Sequence, residues 1–141
     1  MRLEFLSLPE NVGLARVAVA AMVAQADITL SELEEIKVAV SEAVANAIIH
    51  GYGGEPRGWV RLTVNRSREG LEIMVEDEGR GIADIAMAMQ PAYSTDPERM
   101  GLGFAFMQSF MDEVEVLSEE GRGTKVIMRK KLQSDSGGLQ G

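Results

Sequence analysis

The chain has 141 residues, the size of one ordinary domain, and its 45% hydrophobic and 26% charged residues are typical of a soluble globular protein. It contains no cysteine and one histidine, which excludes a disulfide framework, a thiolate zinc site and a histidine-rich metal site. Its 14 basic and 22 acidic residues give a net charge of -8, the wrong sign for a surface that neutralises nucleic-acid phosphates. The apolar runs are too short to span a bilayer and no signal peptide is recognisable, so a cytoplasmic protein is expected.

The first half of the chain predicts a short strand and two helices. Residues 3–6 have the pattern of a strand, and the turn at residues 9–11 opens a helix that is expected to run to about Ala26. This helix is apolar nearly all round, so either the core or a partner protein must cover its second side, and the core is favoured. Thr29 and Glu32 form a capping box for the second helix, which is expected to reach about His50.

The second half of the chain predicts two β-hairpins with helices between them. Apolar and polar residues alternate within residues 60–65 and again within 71–76, which predicts the first hairpin. The same alternation within residues 114–117 and 124–129 predicts the second. Between the hairpins, residues 83–90 predict a short helix, residues 91–100 a mobile loop, and residues 101–111 a further helix. This order predicts an α+β fold, a two-layer sandwich in which a mixed, mostly antiparallel sheet is covered on one face by helices. Residues 1–132 would form the domain, and the Ser- and Gly-rich tail 133–141 is expected to be disordered.

Three polar residues share one side of the second helix. Glu42, Asn46 and His50 are spaced i, i+4, i+8 and therefore form a stripe. One interpretation is a solvated face, because Glu42 lies on the side away from the apolar residues of the helix. The other is a cleft, which the apolar neighbours of the stripe favour. In a cleft, a carboxylate beside a carboxamide can accept a hydroxyl proton and hold a magnesium ion through oxygen.

Asp77 continues the inward-facing positions of the strand at residues 71–76, so its carboxylate is expected on the core side. A buried carboxylate is costly without a partner, which points to a ligand with an amine donor. The alternative is that the strand ends at Glu76 and the alternation no longer applies. Gly79 and Gly81 follow directly, and they would let the backbone turn tightly and approach that ligand.

Gly101 and Gly103 stand at the predicted start of a helix. Free backbone N–H groups and the helix dipole favour a phosphate at that position, although a G-x-G is equally compatible with a flexible hinge. The run at residues 121–124 (GRGT) is a weaker signal, since it also suits a hairpin turn. The chain has neither a P-loop nor the catalytic motifs of the common protein kinases, so both of those nucleotide-binding classes are excluded.

Four segments together carry a resemblance that none carries alone. In order and separation, residues 42–52 (EAVANAIIHGY), 77–82 (DEGRGI), 101–104 (GLGF) and 123–124 (GT) resemble the nucleotide-binding boxes of the GHKL ATPase superfamily, which includes gyrase and the histidine kinases. Within it, the chain is similar to the sporulation anti-sigma factors, which are stand-alone serine kinases, and less closely to their stress-response relatives. The resemblance covers residues 1–131.

The resemblance implies a role for each matching residue at the adenine end of a nucleotide site. Asp77 matches the residue that hydrogen-bonds the adenine amino group. Thr124 matches the threonine of the last box, which lies near the adenine. Gly79 and Gly81 match the first glycine box.

At the phosphate end, the resemblance implies that Gly101 and Gly103 form the glycine box that closes over the phosphates. Asn46 matches the magnesium ligand, and Glu42 matches the general base that activates the hydroxyl of the protein substrate. Arg99 matches an arginine that reaches the terminal phosphate. The loop that carries Arg99 is about two residues shorter here than in the sporulation proteins.

The resemblance implies an ATP-dependent serine/threonine kinase that binds ATP or ADP together with Mg²⁺. It would bind and inhibit a sporulation sigma factor of RNA polymerase and phosphorylate a serine on an anti-anti-sigma antagonist, with Arg16 of the first helix docking both partners. Alternatives are a non-catalytic, nucleotide-binding anti-sigma module, a stress-response anti-sigma kinase, and a detached catalytic domain of a histidine kinase. The resemblance also implies a homodimer, because the first strand lies at a chain end and an edge strand can pair with its copy.

Overall fold

A computed structural model describes residues 1–82 and 100–132. In chain order its elements are β1 (Arg2–Leu6), α1 (Asn11–Val23), α2 (Leu30–Asn46), a π-helical turn (Ala47–Gly51), β2 (Trp59–Ser67), β3 (Gly70–Asp77), α3 (Met100–Phe110), β4 (Glu113–Glu119) and β5 (Gly123–Lys130). The helix predicted at residues 83–90, the loop predicted over 91–99, Arg99 and the tail 133–141 lie outside the described residues.

The five strands form one sheet in the order β1-β2-β3-β5-β4, and each neighbouring pair is antiparallel. Both predicted hairpins are present, as β2 with β3 and β4 with β5. The pairing of β3 with β5 joins them into one sheet. Among the strands that the structure describes, β1 pairs only with β2, so it is an edge strand.

The helices cover one face of this sheet, which confirms the predicted two-layer α+β fold. Val60, Leu62 and Ile73 on the sheet are fully buried in one core with Ile36 and Val44 of α2. The opposite face carries surface ion pairs, such as that of Arg61 Nε with Glu4 Oε1 at 3.0 Å. Exposed pairs of this kind add little stability, so the helix-side core holds the fold together.

The capping box of α2 is formed as predicted. Thr29 Oγ1 accepts a hydrogen bond from the Glu32 backbone N–H at 3.1 Å, and Glu32 Oε1 accepts one from the Thr29 backbone N–H at 3.0 Å. Such a cap stabilises a helix by about 1 kcal/mol, and here it sets where α2 begins.

Helix α1 differs from its prediction in length and in burial. It ends at Val23 because the Gln25 and Ala26 backbone N–H groups bond three residues back, the latter to Val23 O at 2.9 Å, and this tightens the last turn. Ala15, Val19 and Val23 form one buried stripe, whereas Leu14 and Val17 are 49% and 65% exposed. The core therefore covers only one side of α1 and leaves its second side open.

Within residues 1–82 and 100–132, no helix is long and apolar enough to cross a membrane.

Candidate nucleotide-binding site

The polar stripe of α2 lies where the helix changes from α to π. Glu42 and Asn46 are in its last turns and are half-buried, and His50 in the π-helical turn is 6% exposed. π-Helical turns are rare and are frequently found at functional sites. The stripe is therefore partly enclosed by protein, which favours the cleft over the solvated face.

The start of α3 lies directly over this stripe. A Cβ added to Gly103 would be 3.0 Å from Glu42 Oε2 and 3.5 Å from both Asn46 Oδ1 and Asn46 Nδ2. α3 begins at Met100, one residue before its predicted start, so Gly101 and Gly103 are in its first turn. Backbone N–H groups of a first turn have no acceptor within their own helix, and such groups bind anions.

Asn46 has an unused donor at this position. Its Nδ2 is buried and has no hydrogen-bond partner among the residues that the structure describes. A buried amide without a partner costs stability, which a ligand would offset. In residues 1–82 and 100–132, no three acidic or histidine side chains converge into a metal site. A Mg²⁺ ion here would therefore be held by one amide oxygen, that of Asn46, together with phosphate and water oxygens, which is the usual pattern for Mg²⁺ bound with a nucleotide.

Asp77 is the last residue of β3 and is 8% exposed, so the alternative that the strand ends at Glu76 is excluded. Its Oδ1 accepts the Gly79 backbone N–H at 2.9 Å. Burial raises the pKa of Asp77 to about 6, while hydrogen bonds from the Gly79 and Thr124 backbones act in the opposite direction. The carboxylate thus lies in a poorly hydrated place where a further donor would be favourable.

Close backbone packing holds Asp77 against the end of the π-helical turn. A Cβ on Gly51 would be 2.8 Å from Asp77 Oδ1, and one on Gly79 would collide with the Gly51 carbonyl oxygen. The Arg80 backbone N–H donates to that same oxygen at 3.1 Å. Two glycines are therefore required where the two segments meet.

A second set of contacts ties the same loop to the β4–β5 hairpin. Ser118 Oγ accepts the Ile82 backbone N–H at 2.7 Å, donates to Gly123 O at 3.0 Å and lies 2.8 Å from Thr124 Oγ1. Thr124 is opposite Asp77 in the β3–β5 register. Ser118 therefore fixes Thr124 beside Asp77.

Together these residues line one cleft between the helices and the sheet. Its walls include Ala43, Val75, Phe104 and Val126, and Asn46, Asp77 and Thr124 supply polar groups. Small-molecule sites commonly have such apolar walls with a few polar groups that orient the ligand. An apolar slot with one buried acceptor has the polarity that suits a flat base with an amino group, and at about 20 Å³ it would have to widen to admit one.

Residues 5–130 match the family model described as a histidine kinase-like ATPase domain. The anti-sigma F factor of Clostridium novyi (strain NT) is 49% identical over 136 residues, which are 95% of this chain and 95% of that protein. That of Bacillus cytotoxicus is 47% identical over 138 residues, or 96% of this chain and 94% of that protein. The chain belongs to the anti-sigma F factor family of histidine kinase-like ATPases. This confirms the resemblance carried by the four segments.

Solved structures support the ATPase fold of the family. The RsbU and RsbW domains of a Mycobacterium tuberculosis protein superpose with a TM-score of 0.65 at 18% identity, over 94% of this chain and 32% of that longer chain. The histidine kinase domain of a blue-light activated histidine kinase from Erythrobacter litoralis gives 0.59 at 22% identity, over 91% of this chain and 63% of that one. At these identities the comparison concerns the fold alone.

Arg16, the residue predicted to dock partners, lies away from the cleft. It is exposed on α1, and its Nη1 is 3.4 Å from Ser41 Oγ on α2. Leu14 and Val17, exposed on the same helix, lie close to it in sequence. Arg99 lies outside the described residues, so its predicted position at the terminal phosphate stays a prediction.

Sequence reasoning missed two residues of the site, Gly51 and Ser118. Gly51 is part of the segment 42–52 that carries the family resemblance, and the signal was its position directly after the polar stripe. Ser118 lies on β4, where the alternation of residues predicts only which face of the sheet its side chain is on. No local pattern in the sequence therefore indicated its hydrogen bonds. Each acts by packing or hydrogen bonding to a segment distant in the chain.

Proposed function

We propose that this chain is an ATP-dependent protein serine kinase that inhibits a sporulation sigma factor and phosphorylates a serine on its anti-anti-sigma antagonist. The observation that carries the proposal is a cleft lined by the buried carboxylate of Asp77 and by Asn46, with Glu42 beside Asn46 under the first turn of α3. The names of the relatives, anti-sigma F factors, support the sigma-factor partner.

At the adenine end, Asp77 would accept a hydrogen bond from the amino group of the base, between apolar walls that include Val75 and Phe104. Asp77→Asn replaces a charged acceptor by a carboxamide in a poorly hydrated pocket. It should weaken ADP binding by about 1–3 kcal/mol. Isothermal calorimetry measures this, with Glu78→Gln, which changes an exposed neighbouring carboxylate, as the matched control. Unchanged affinity in a folded Asp77→Asn protein would contradict the assignment.

The same carboxylate should make nucleotide affinity depend on pH. Because burial raises the pKa of Asp77 to about 6, the free protein holds a proton there below pH 6, and binding of an amine donor must expel it. ADP affinity should therefore rise about tenfold between pH 5 and pH 7 through this group. Protonation of the nucleotide itself affects binding to both proteins equally, so it cancels in the ratio of wild-type to Asp77→Asn affinity. A ratio that is constant over this range would contradict the prediction.

At the phosphate end, the first-turn N–H groups of α3 would bind phosphate oxygens, and Asn46 would hold Mg²⁺. When bound, the ion neutralises phosphate charge. Glu42 would accept the proton of the incoming serine hydroxyl, which increases its nucleophilicity as the oxygen attacks the terminal phosphorus and ADP leaves. Gly103 keeps the space above both side chains open, because a Cβ there would lie 3.0 Å from Glu42 Oε2.

Partner docking is proposed for the open side of α1. Leu14 and Val17 expose apolar surface there, and Arg16 adds a charge. A partly apolar surface with an arginine is typical of protein interfaces. The nucleotide would bias which partner stays bound through any difference in affinity between its ATP and ADP states.

A homodimer is proposed through the free edge of β1. The backbone groups of Met1 and Val64 bond to each other and the Ser7 N–H bonds to Gly58 O, so by antiparallel alternation the Glu4 N–H points away from β2. Sedimentation at tens of micromolar with ATP should give about twice 15.3 kDa. Glu4→Pro removes that outward donor and should shift the protein toward monomer, whereas Glu4→Ala should not. A monomeric wild-type protein would contradict the proposal.

One transfer assay separates this function from its rivals. Radiolabelled ATP should phosphorylate a serine-containing antagonist and should leave a serine-to-alanine antagonist unlabelled. A non-catalytic anti-sigma module would bind ATP and transfer nothing. The presence of Glu42 beside Asn46, under the first turn of α3, favours the kinase over that module. A stress-response kinase would differ in the antagonist that it accepts, so antagonists of both classes are compared.

A further inference from the structure

Tyr52 connects three segments that meet behind Asp77. It directly follows the π-helical turn and is 7% exposed. Its hydroxyl donates to the Trp59 carbonyl oxygen at 2.9 Å and accepts the Glu78 backbone N–H at 2.7 Å. Burial raises the pKa of this phenol, so the group remains a donor as well as an acceptor at neutral pH.

The ring of Tyr52 has little freedom to move. A Cβ added to Gly58 would be 2.6 Å from Tyr52 Cε1 and 2.8 Å from Cζ, so the ring packs directly on the Gly58 backbone. The Gly58 N–H in turn donates to Ser7 Oγ at 3.3 Å, and the Ser7 N–H donates to Gly58 O at 3.0 Å. The hydroxyl is therefore held at a fixed place relative to the sheet.

The fixed hydroxyl orients the peptide that follows Asp77. The Asp77 carbonyl and the Glu78 N–H belong to one rigid peptide plane. Tyr52 bonds that N–H, and Gly123 packs so closely on the Asp77 carbonyl oxygen that a Cβ there would collide with it. With both ends of the plane held, the backbone of Asp77 has one orientation, and its carboxylate points into the cleft.

We propose that Tyr52 is a positioning residue that aims Asp77 at the amino group of a 6-aminopurine, and so makes the site selective for that amino group. Tyr52 is not among the residues that line the cleft, so it would act through Asp77 and not by touching the ligand. The proposal rests on the proposed function, because it requires that Asp77 recognises the base.

The test compares two nucleotides with and without the hydroxyl. ADP and purine riboside 5′-diphosphate, which has hydrogen in place of the 6-amino group, are titrated calorimetrically into wild-type protein and Tyr52→Phe. Loss of one buried hydrogen-bond partner should lower ADP affinity about tenfold. Affinity for the analogue should change less than twofold. Equal losses for both nucleotides would indicate general loosening of the site and overturn the proposal, as would unchanged ADP affinity.

A double-mutant cycle and a second variant complete the test. In an Asp77→Asn background, Tyr52→Phe should have no further effect on ADP affinity, because both changes remove the same interaction. If Tyr52→Phe does not fold, Gly58→Ala displaces the ring while keeping the hydroxyl and should lower ADP affinity selectively in the same way. A wild-type protein with no preference for ADP over the analogue would overturn adenine recognition by Asp77 itself. A preference that is as large in Tyr52→Phe as in the wild-type protein would overturn only the role of Tyr52.

Discussion

Replacing Glu42 with glutamine should lower phosphate transfer to the antagonist by about 10²- to 10⁴-fold, because a positioned general base typically supplies that factor. ADP affinity and sigma-factor capture should stay nearly unchanged. Glu42 lies under the first turn of α3 and is not one of the residues that line the cleft around Asp77. Initial transfer rates and calorimetric ADP affinities measured on the same preparation separate catalysis from binding.

Two further variants show whether the effect is specific to Glu42. Glu34→Gln removes a carboxylate that is 58% exposed on the same helix and should leave transfer unaffected. Asn46→Ala should impair Mg²⁺-dependent ATP binding and transfer together, because the ion both binds and orients the phosphates. Transfer at the wild-type rate by Glu42→Gln would mean that the base lies elsewhere.

Gly81→Ala should cost markedly more folding stability than Gly121→Ala. Both glycines have a left-handed backbone, with φ of +73° and +82°, so each substitution carries a similar strain of about 1 kcal/mol. A Cβ on Gly121 meets nothing within 4 Å, whereas one on Gly81 collides with the Glu119 carbonyl oxygen. The forced backbone shift should add about 1–3 kcal/mol for Gly81→Ala.

Urea titration gives the free energy of unfolding of both variants, and ADP calorimetry follows the site. Gly81→Ala should also weaken ADP binding, because the loop that it distorts begins at Asp77. Gly121 lies in the β4–β5 turn, so Gly121→Ala should retain ADP affinity. Equal destabilisation by the two variants would mean that this loop yields to the added methyl group and that the close packing has no role in shaping the site.

Local patterns predicted much of the fold. The capping box of Thr29 and Glu32 depends on residues three apart, and strand alternation depends on neighbours, so both are readable from sequence. The end of α1 and the exposure of Val17 were not readable from the sequence. Whether the second side of a helix is buried depends on which other elements pack against it. The pairing of β3 with β5 joins two hairpins far apart in the chain, and no local pattern encodes it.

The same distinction applies to the site. The inward direction of Asp77 followed from its strand, and the stripe of Glu42 and Asn46 followed from helical spacing. Gly51 contacts Asp77, which is 26 positions away in the chain. Ser118 accepts a hydrogen bond from Ile82, which is 36 positions away. Neither contact could be predicted without the assembled structure. The family resemblance marked segment 42–52 as a whole but gave no role to Gly51.

The π-helical turn has a consequence for the geometry of the stripe. In an α-helix, four residues rotate by about 400°, so side chains spaced i, i+4, i+8 drift by about 40° at each step and spiral away from a straight line. Hydrogen bonds from i to i+5 close a wider ring, which rotates less per residue and counteracts that drift between Asn46 and His50. The widened turn thus keeps Asn46 and His50 closer to one line along the helix than α-helical spacing would. It also means that this segment contains one residue more than an α-helix of the same length, so a single deletion there would restore an α-helix and leave the chain beyond it in nearly the same place.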